Sequence, residues 1–163
     1  MSKKAVVLVV LCLVVMFGPL YALSDSGLQR MERRIEASQD KDWAADWSLR
    51  VAKAYEYTFR LEQAHAAYQR TETRFLTLVA ARQEAGDLEG ARTAYELAAD
   101  CYLKQAEMVE QYKDKFQAIP YYEAFELAWQ DGDGYWHPGY PGLPDKLEHV
   151  KKQIIRLKYT GRA

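Results

Sequence analysis

An all-α fold of antiparallel helical hairpins, with one irregular break, is predicted for this 163-residue chain. Three observations predict it. Apolar residues recur at three- and four-residue steps over most of residues 43–129. Small residues sit beside aromatic ones at those steps, so helices can approach closely while rings fill the gaps. Glycine and proline are rare in that stretch, with Gly86-Asp87 as its clearest punctuation, and then crowd into residues 131–144. A hairpin of this kind cannot bury its apolar face alone, so it stacks on a neighbour.

Residues 1–24 read as a signal peptide. Lys3 and Lys4 form its positive head, and residues 5–17 are an unbroken apolar run that Gly18-Pro19 ends. Ala22 and Ser24 meet the small-x-small cleavage rule and place the cut after Ser24. The alternative is an uncleaved anchor, because the apolar stretch extends to Leu23 and approaches the roughly 20 residues needed to span a bilayer. Either reading exports the body of the protein, to the periplasm or cell envelope. Cys12 is no lipid-attachment site, since Leu11 precedes it where a small residue is needed. Cys101 then stands alone in the mature chain, without a disulfide partner, and reads as a small buried apolar residue. With no Asn in the sequence, there is no N-glycosylation site.

Residues 25–131 form the helical domain. Asp25-Ser26-Gly27 opens a first helix, whose stripe is Leu28, Met31 and Ile35. After a polar break at residues 38–42, Trp43, Trp47, Val51, Tyr55 and Phe59 follow at four-residue steps. No Gly or Pro comes next, so a turn near Phe59-Arg60 is placed from phase alone, the alternative being one long helix. The following stripe is Leu61, Ala64, Tyr68, Thr71, Phe75 and Leu78. Gly86 suits a left-handed helix cap and Asp87 the next N-cap. A long helix then carries Leu88, Ala91, Tyr95, Ala98, Tyr102, Ala106, Val109 and Phe116 inward and ends before Pro120. Pro120 opens another helix, with Tyr121, Ala124, Phe125, Ala128 and Trp129 as its apolar content. Residues 132–143 are an irregular aromatic loop. Residues 144–160 make a last helix, with Leu147, Val150, Ile154 and Leu157 facing in.

The spacing around Gly86-Asp87-Leu88 resembles the tetratricopeptide repeat family, over roughly residues 45–103. Ala91, Tyr95 and Ala98 fall on the family's second-helix pattern, as do Ala64, Tyr68 and Thr71 in a first copy. Ala52 and Tyr55 match its first-helix small and aromatic positions. Ser48 stands where the family has a tryptophan, and Leu103 where a proline closes the repeat. Ala64 and Ala91 are 27 residues apart, against about 34 in the family, so the repeats are irregular. The resemblance implies a partner-binding scaffold without catalysis. On that basis the first helix of each hairpin is expected to form a groove from Leu49, Lys53, Glu56 and Tyr57 and from Thr73, Leu76, Ala80 and Gln83. A peptide segment or the face of a larger complex is the expected protein partner.

Other chemistry is thinly supported. A formal net charge of -1 and a pI near 6.3 supply no field for nucleic acid. There is no phosphate loop, dinucleotide fingerprint or nucleophile elbow, and no cofactor or metal is expected. His65, His137 and His149 are scattered, and are expected to face solvent or to bond locally. Asp131-Gly132-Asp133-Gly134 hints at a calcium loop, but Trp129 and Tyr140 would then occupy ligand positions, so an acidic turn is expected. Tyr135, Trp136, His137 and Tyr140 offer rings that either grip a glycan or peptide or plug the end of the stack. The last helix is basic, with Lys146, Lys151, Lys152, Arg156, Lys158 and Arg162, and reads as a docked helix with a solvated face rather than a membrane-surface helix. Membrane contact is expected only through the N-terminal segment, if it stays uncleaved. Besides a binding scaffold, the sequence leaves open a structural subunit of an envelope complex and a glycan-binding envelope protein that uses the aromatic loop.

Overall fold

Six α-helices and one 3-10 turn account for nearly all the residues described by the computed structural model, 23–130 and 143–159, and no strand occurs among them. The all-α prediction holds. The helices are α1 (Asp25–Glu36), α2 (Lys41–Tyr57), α3 (Leu61–Glu84), α4 (Leu88–Tyr112), α5 (Ile119–Gln130) and α6 (Leu143–Tyr159), with the 3-10 turn at Lys115–Ala118 before α5.

Short polar caps set three of the six α-helix starts. Ser24 accepts from the Gly27 amide at the head of α1, Asp40 from Trp43 at α2, and Asp87 from Gly90 at α4. The α2–α3 and α3–α4 turns share one geometry. Phe59, with φ 57°, donates its amide to the Glu56 carbonyl, and the Arg60 amide reaches back to Tyr55. Gly86, with φ 76°, donates to Gln83, and the Asp87 amide reaches back to Arg82. Both are Schellman turns, and only the second carries the glycine that the left-handed position favours. The same pattern follows each turn: Leu61-Glu62-x-Ala64-x-x-Ala67-Tyr68, then Leu88-Glu89-x-Ala91-x-x-Ala94-Tyr95.

Contacts between successive helices pair the start of one with the end of the next. Arg82 near the end of α3 pairs with Asp42 at the start of α2, and Arg82 Nη1 also donates to the Gly90 carbonyl at the start of α4 (2.8 Å). At mid-helix, Ser48 and Thr71 meet across α2 and α3 at 2.9 Å. The Thr71 hydroxyl proton is committed to the Ala67 carbonyl, so Ser48 is the donor. Ala45, Ala52, Ala64 and Ala91 are fully buried, which permits these close crossings.

The core is two apolar clusters that share α4. One is built from α1 to α4 around Tyr55, Tyr68, Phe75 and Met108; the other from α4 to α6 around Tyr122, Phe125, Val150 and Leu157. The basic face of α6 is tied to the acidic residues of α4 and α5. Lys146 binds Asp100 at 2.7 Å, Lys158 binds Glu123 at 2.7 Å, and Arg156 pairs with Glu110.

Three expectations are corrected. The long helix stops at Tyr112 rather than running to Pro120, because Lys113 is extended and Asp114 caps the Phe116 amide to start the 3-10 turn. Phe116 is therefore exposed instead of inward-facing. Phe59 leaves the α2 stripe and is 86% exposed, since its left-handed backbone turns the side chain away from the core. Residues 45–103 fold as three helices where two copies of a two-helix repeat need four. Ala64 and Ala91 thus lie on adjacent helices, and the likeness to the tetratricopeptide pattern concerns packing chemistry more than its two-helix unit.

Candidate binding surfaces beside α4

α4 is buried over much of its circumference, with Ala94, Ala98, Ala99, Cys101, Leu103, Ala106 and Val109 all buried, while Glu96, Asp100, Lys104 and Glu107 run along its polar side. Among the described residues, two depressions lie beside it, one on each side.

The larger depression is an open trough of about 300 Å³ between α3, α4 and α5. Ala98, Ala99, Ala124 and Ala128 contribute small side chains to its lining, Tyr95 and Tyr102 supply rings, and Leu76 and Leu127 stand exposed. The Tyr95 hydroxyl donates to the Ala128 carbonyl at 2.8 Å, satisfying one of the carbonyls that the end of α5 leaves free and holding that ring in place. The Tyr102 phenol is pushed up to about 12, by burial first and then by the Glu72 carboxylate, so it stays a neutral donor.

The smaller depression, about 140 Å³, lies where α2 and α4 flank α3 and is lined by Leu49, Lys53, Tyr68, Leu97, Asp100, Cys101 and Lys104. Glu56 accepts from the Tyr68 hydroxyl and from Lys104 Nζ (3.0 Å), and Lys104 also reaches Glu107 at 2.9 Å. Burial, followed by the Glu56 bond, raises the Tyr68 phenol far above its ordinary range. Burial lowers the Lys104 value, but Glu107 and Glu56 outweigh it and the net shift is upward, so the ammonium stays charged. The Cys101 thiol is pushed up chiefly by burial and is held protonated and unreactive.

The groove residues expected from the sequence are divided between these places. Leu49 and Lys53 line the smaller depression, with Glu56 in the adjoining network, whereas Leu76 lines the trough on the other side of α4. Tyr57 is exposed at the end of α2, and Thr73, Ala80 and Gln83 are exposed on α3 away from both linings. One continuous groove does not form, because Thr73 to Gln83 share α3 with Tyr68 and Thr71 instead of starting a new hairpin. Tyr135, Trp136, His137 and Tyr140 lie outside the described residues, as do residues 1–22. The trough also holds Tyr95, Tyr102 and Leu127, which the sequence did not mark as candidates for a binding surface.

His65 departs from expectation too. It is buried between Tyr112 and Tyr121, with ring centroids 6.0 and 5.3 Å away, and its Nε2 has no hydrogen-bond partner. Burial, and then the nearby Lys113, lower its pKa, so the ring is neutral at pH 7. Among the described residues no cluster of His, Cys, Asp and Glu could hold a metal ion, and no helix is long and apolar enough to cross a membrane. Compared with known proteins, the chain matches no protein family, no curated protein and no solved structure.

Proposed function

We propose that the protein is an exported, non-catalytic helical scaffold of the cell envelope that binds a protein partner through the α3–α4–α5 trough. The observation that supports this is the trough's composition: alanines, two fixed tyrosine rings, and Leu76 and Leu127 left exposed. Exposed leucines beside a shaped apolar depression are the mark of a surface completed by another molecule. About 300 Å³ accommodates one or two apolar side chains, which suits a single peptide segment rather than a broad interface. The tetratricopeptide resemblance in small-and-aromatic packing supports the same class of function.

The test replaces Leu76 and Leu127, separately, by Asp and measures partner recovery from envelope extract beside the melting temperature. Recovery should fall about tenfold, equivalent to ~1.4 kcal/mol, while the melt barely moves because both side chains are exposed. Recovery that survives both changes but is lost with Trp136→Ala would move the site to the aromatic loop. Stable self-association of the purified chain, with no other partner, would favour a structural subunit.

A further inference from the structure

Glutamates tie successive helices together in a repeating way. Glu32 of α1 faces the Tyr55 phenol of α2 and pairs with Arg70 of α3. Glu56 of α2 accepts from the Tyr68 hydroxyl of α3 and pairs with Lys104 of α4 at 3.0 Å. Glu110 of α4 accepts from the Tyr122 hydroxyl of α5 at 3.0 Å and pairs with Arg156 of α6. Each carboxylate thus takes a phenol from the next helix and a cation from the helix after that. All three glutamates are partly buried, and a buried carboxylate is costly unless it is both hydrogen-bonded and paired.

Glu72 of α3 begins the same arrangement and does not complete it. It is partly buried, faces the Tyr102 phenol of α4, and accepts from Gln105 Nε2 at 2.7 Å. By the pattern of the other three, α5 would supply its cation, but Ile119–Gln130 contains neither Lys nor Arg. Among the described residues Glu72 makes no ion pair. Instead of a cation, α5 brings Ala124, Leu127 and Ala128, which line the trough. Glu72 stands one turn before Leu76 on the same side of α3, and its partner Tyr102 is itself in the lining. The carboxylate that lacks a cation therefore sits at the wall of the trough. A phenol and a neutral amide use only part of its capacity of about four hydrogen bonds, and neither offsets its charge.

We propose, on the reading that the trough is the partner site, that its occupant is a peptide segment with a Lys or Arg beside apolar side chains, the cation pairing with Glu72 while the apolar groups cover Leu76 and Leu127. The occupant then stands in for the cation that α5 lacks. An acidic segment of the same shape is rejected by the same carboxylate, so Glu72 sets the sign of the charge that the partner brings.

Random octapeptides displayed on phage are the probe, selected on the purified protein and on its Glu72→Gln and Glu72→Lys variants. The unaltered protein should enrich Lys or Arg at one position flanked by apolar residues. Glu72→Gln should keep the apolar preference and lose the basic one, and Glu72→Lys should move that position to Asp or Glu. A synthetic copy of the winning peptide should bind Glu72→Gln about tenfold more weakly than the unaltered protein. Its analogue with norleucine at the basic position should bind both equally. If Glu72→Lys loses helical circular dichroism, Glu72→Gln is read alone, since its amide oxygen still accepts from Tyr102 and Gln105. Peptides that need Leu76 and Leu127 but show no basic preference, or keep it on Glu72→Gln, would overturn this inference and leave the trough as the partner site. Peptides indifferent to Leu76→Ser combined with Leu127→Ser, or no enrichment at all, would overturn the trough reading and this inference with it.

Discussion

Phe59 is the residue whose backbone and side chain disagree most. A non-glycine residue at φ 57° carries a strain that Gly86 avoids in the equivalent turn. Phe59→Gly should stabilise the fold by roughly 1 kcal/mol, and Gly86→Ala should cost about as much, both read from chemical denaturation. The opposite signs test the shared turn geometry directly. The turn could be located from hydrophobic phase, but no residue type announced a left-handed position at Phe59. His65 was similarly hard to read, because its burial depends on Tyr112 and Tyr121, which arrive from two other helices. Its native pKa lies below the unfolded value of about 6.5. The unfolded chain therefore binds the proton more readily, and the contribution is intact above about pH 6.5 and lost as pH falls toward the native value. His65→Phe should flatten the dependence of melting temperature on pH between about pH 7 and about pH 5.

At the level of elements, the inward stripes of α1, α3 and α6 were legible, because each packs one face against the core and period alone reveals it. Leu28, Ile35, Tyr68, Phe75, Val150 and Leu157 are all buried as their spacing requires. Ala64→Leu and Ala91→Leu should each cost roughly 1–3 kcal/mol in a thermal or denaturant melt, since both alanines are fully buried at helix crossings. The end of α4 was less legible. Lys113 and Asp114 interrupt the helix without a Gly or Pro, and the apolar Phe116 falls in phase with the stripe although the backbone has left it. For α6 the two kinds of contact should separate cleanly. Leu157→Ala should cost roughly 2–5 kcal/mol, whereas Lys158→Ala, removing a largely exposed ion pair, should cost less than about 1 kcal/mol.

For the whole molecule, the all-α character was legible in the sequence, but the residues expected to share one groove fall at separate places, because periodicity gives the faces of helices and not which helices become neighbours. Leu49 and Leu76 both lie on helices beside α4, yet they line different depressions. The export reading meets the structure at Ser24, which caps α1 through the Gly27 amide. Mass spectrometry of the native protein should place the mature N-terminus at Asp25. In that form α1 starts without its cap, at a cost of about 1 kcal/mol, and amide exchange in its first turn should be fast. A mature chain beginning at Leu23 would keep the cap and move the cleavage site back to Ala22.

The Leu-Glu-x-Ala-x-x-Ala-Tyr pattern recurs once per helix and turn, not once per helix pair. In an antiparallel array each copy would point the opposite way to the one before it, and the array would have a parity. Inserting one further 27-residue copy after α4 would reverse every later helix, carrying Phe116 and Tyr159 to the end now marked by Leu88 while Phe59 stayed where it is. Inserting two would restore the arrangement. Any surface that draws on both halves of this molecule would therefore tolerate growth only in even steps, a constraint that a repeat of two helices never meets.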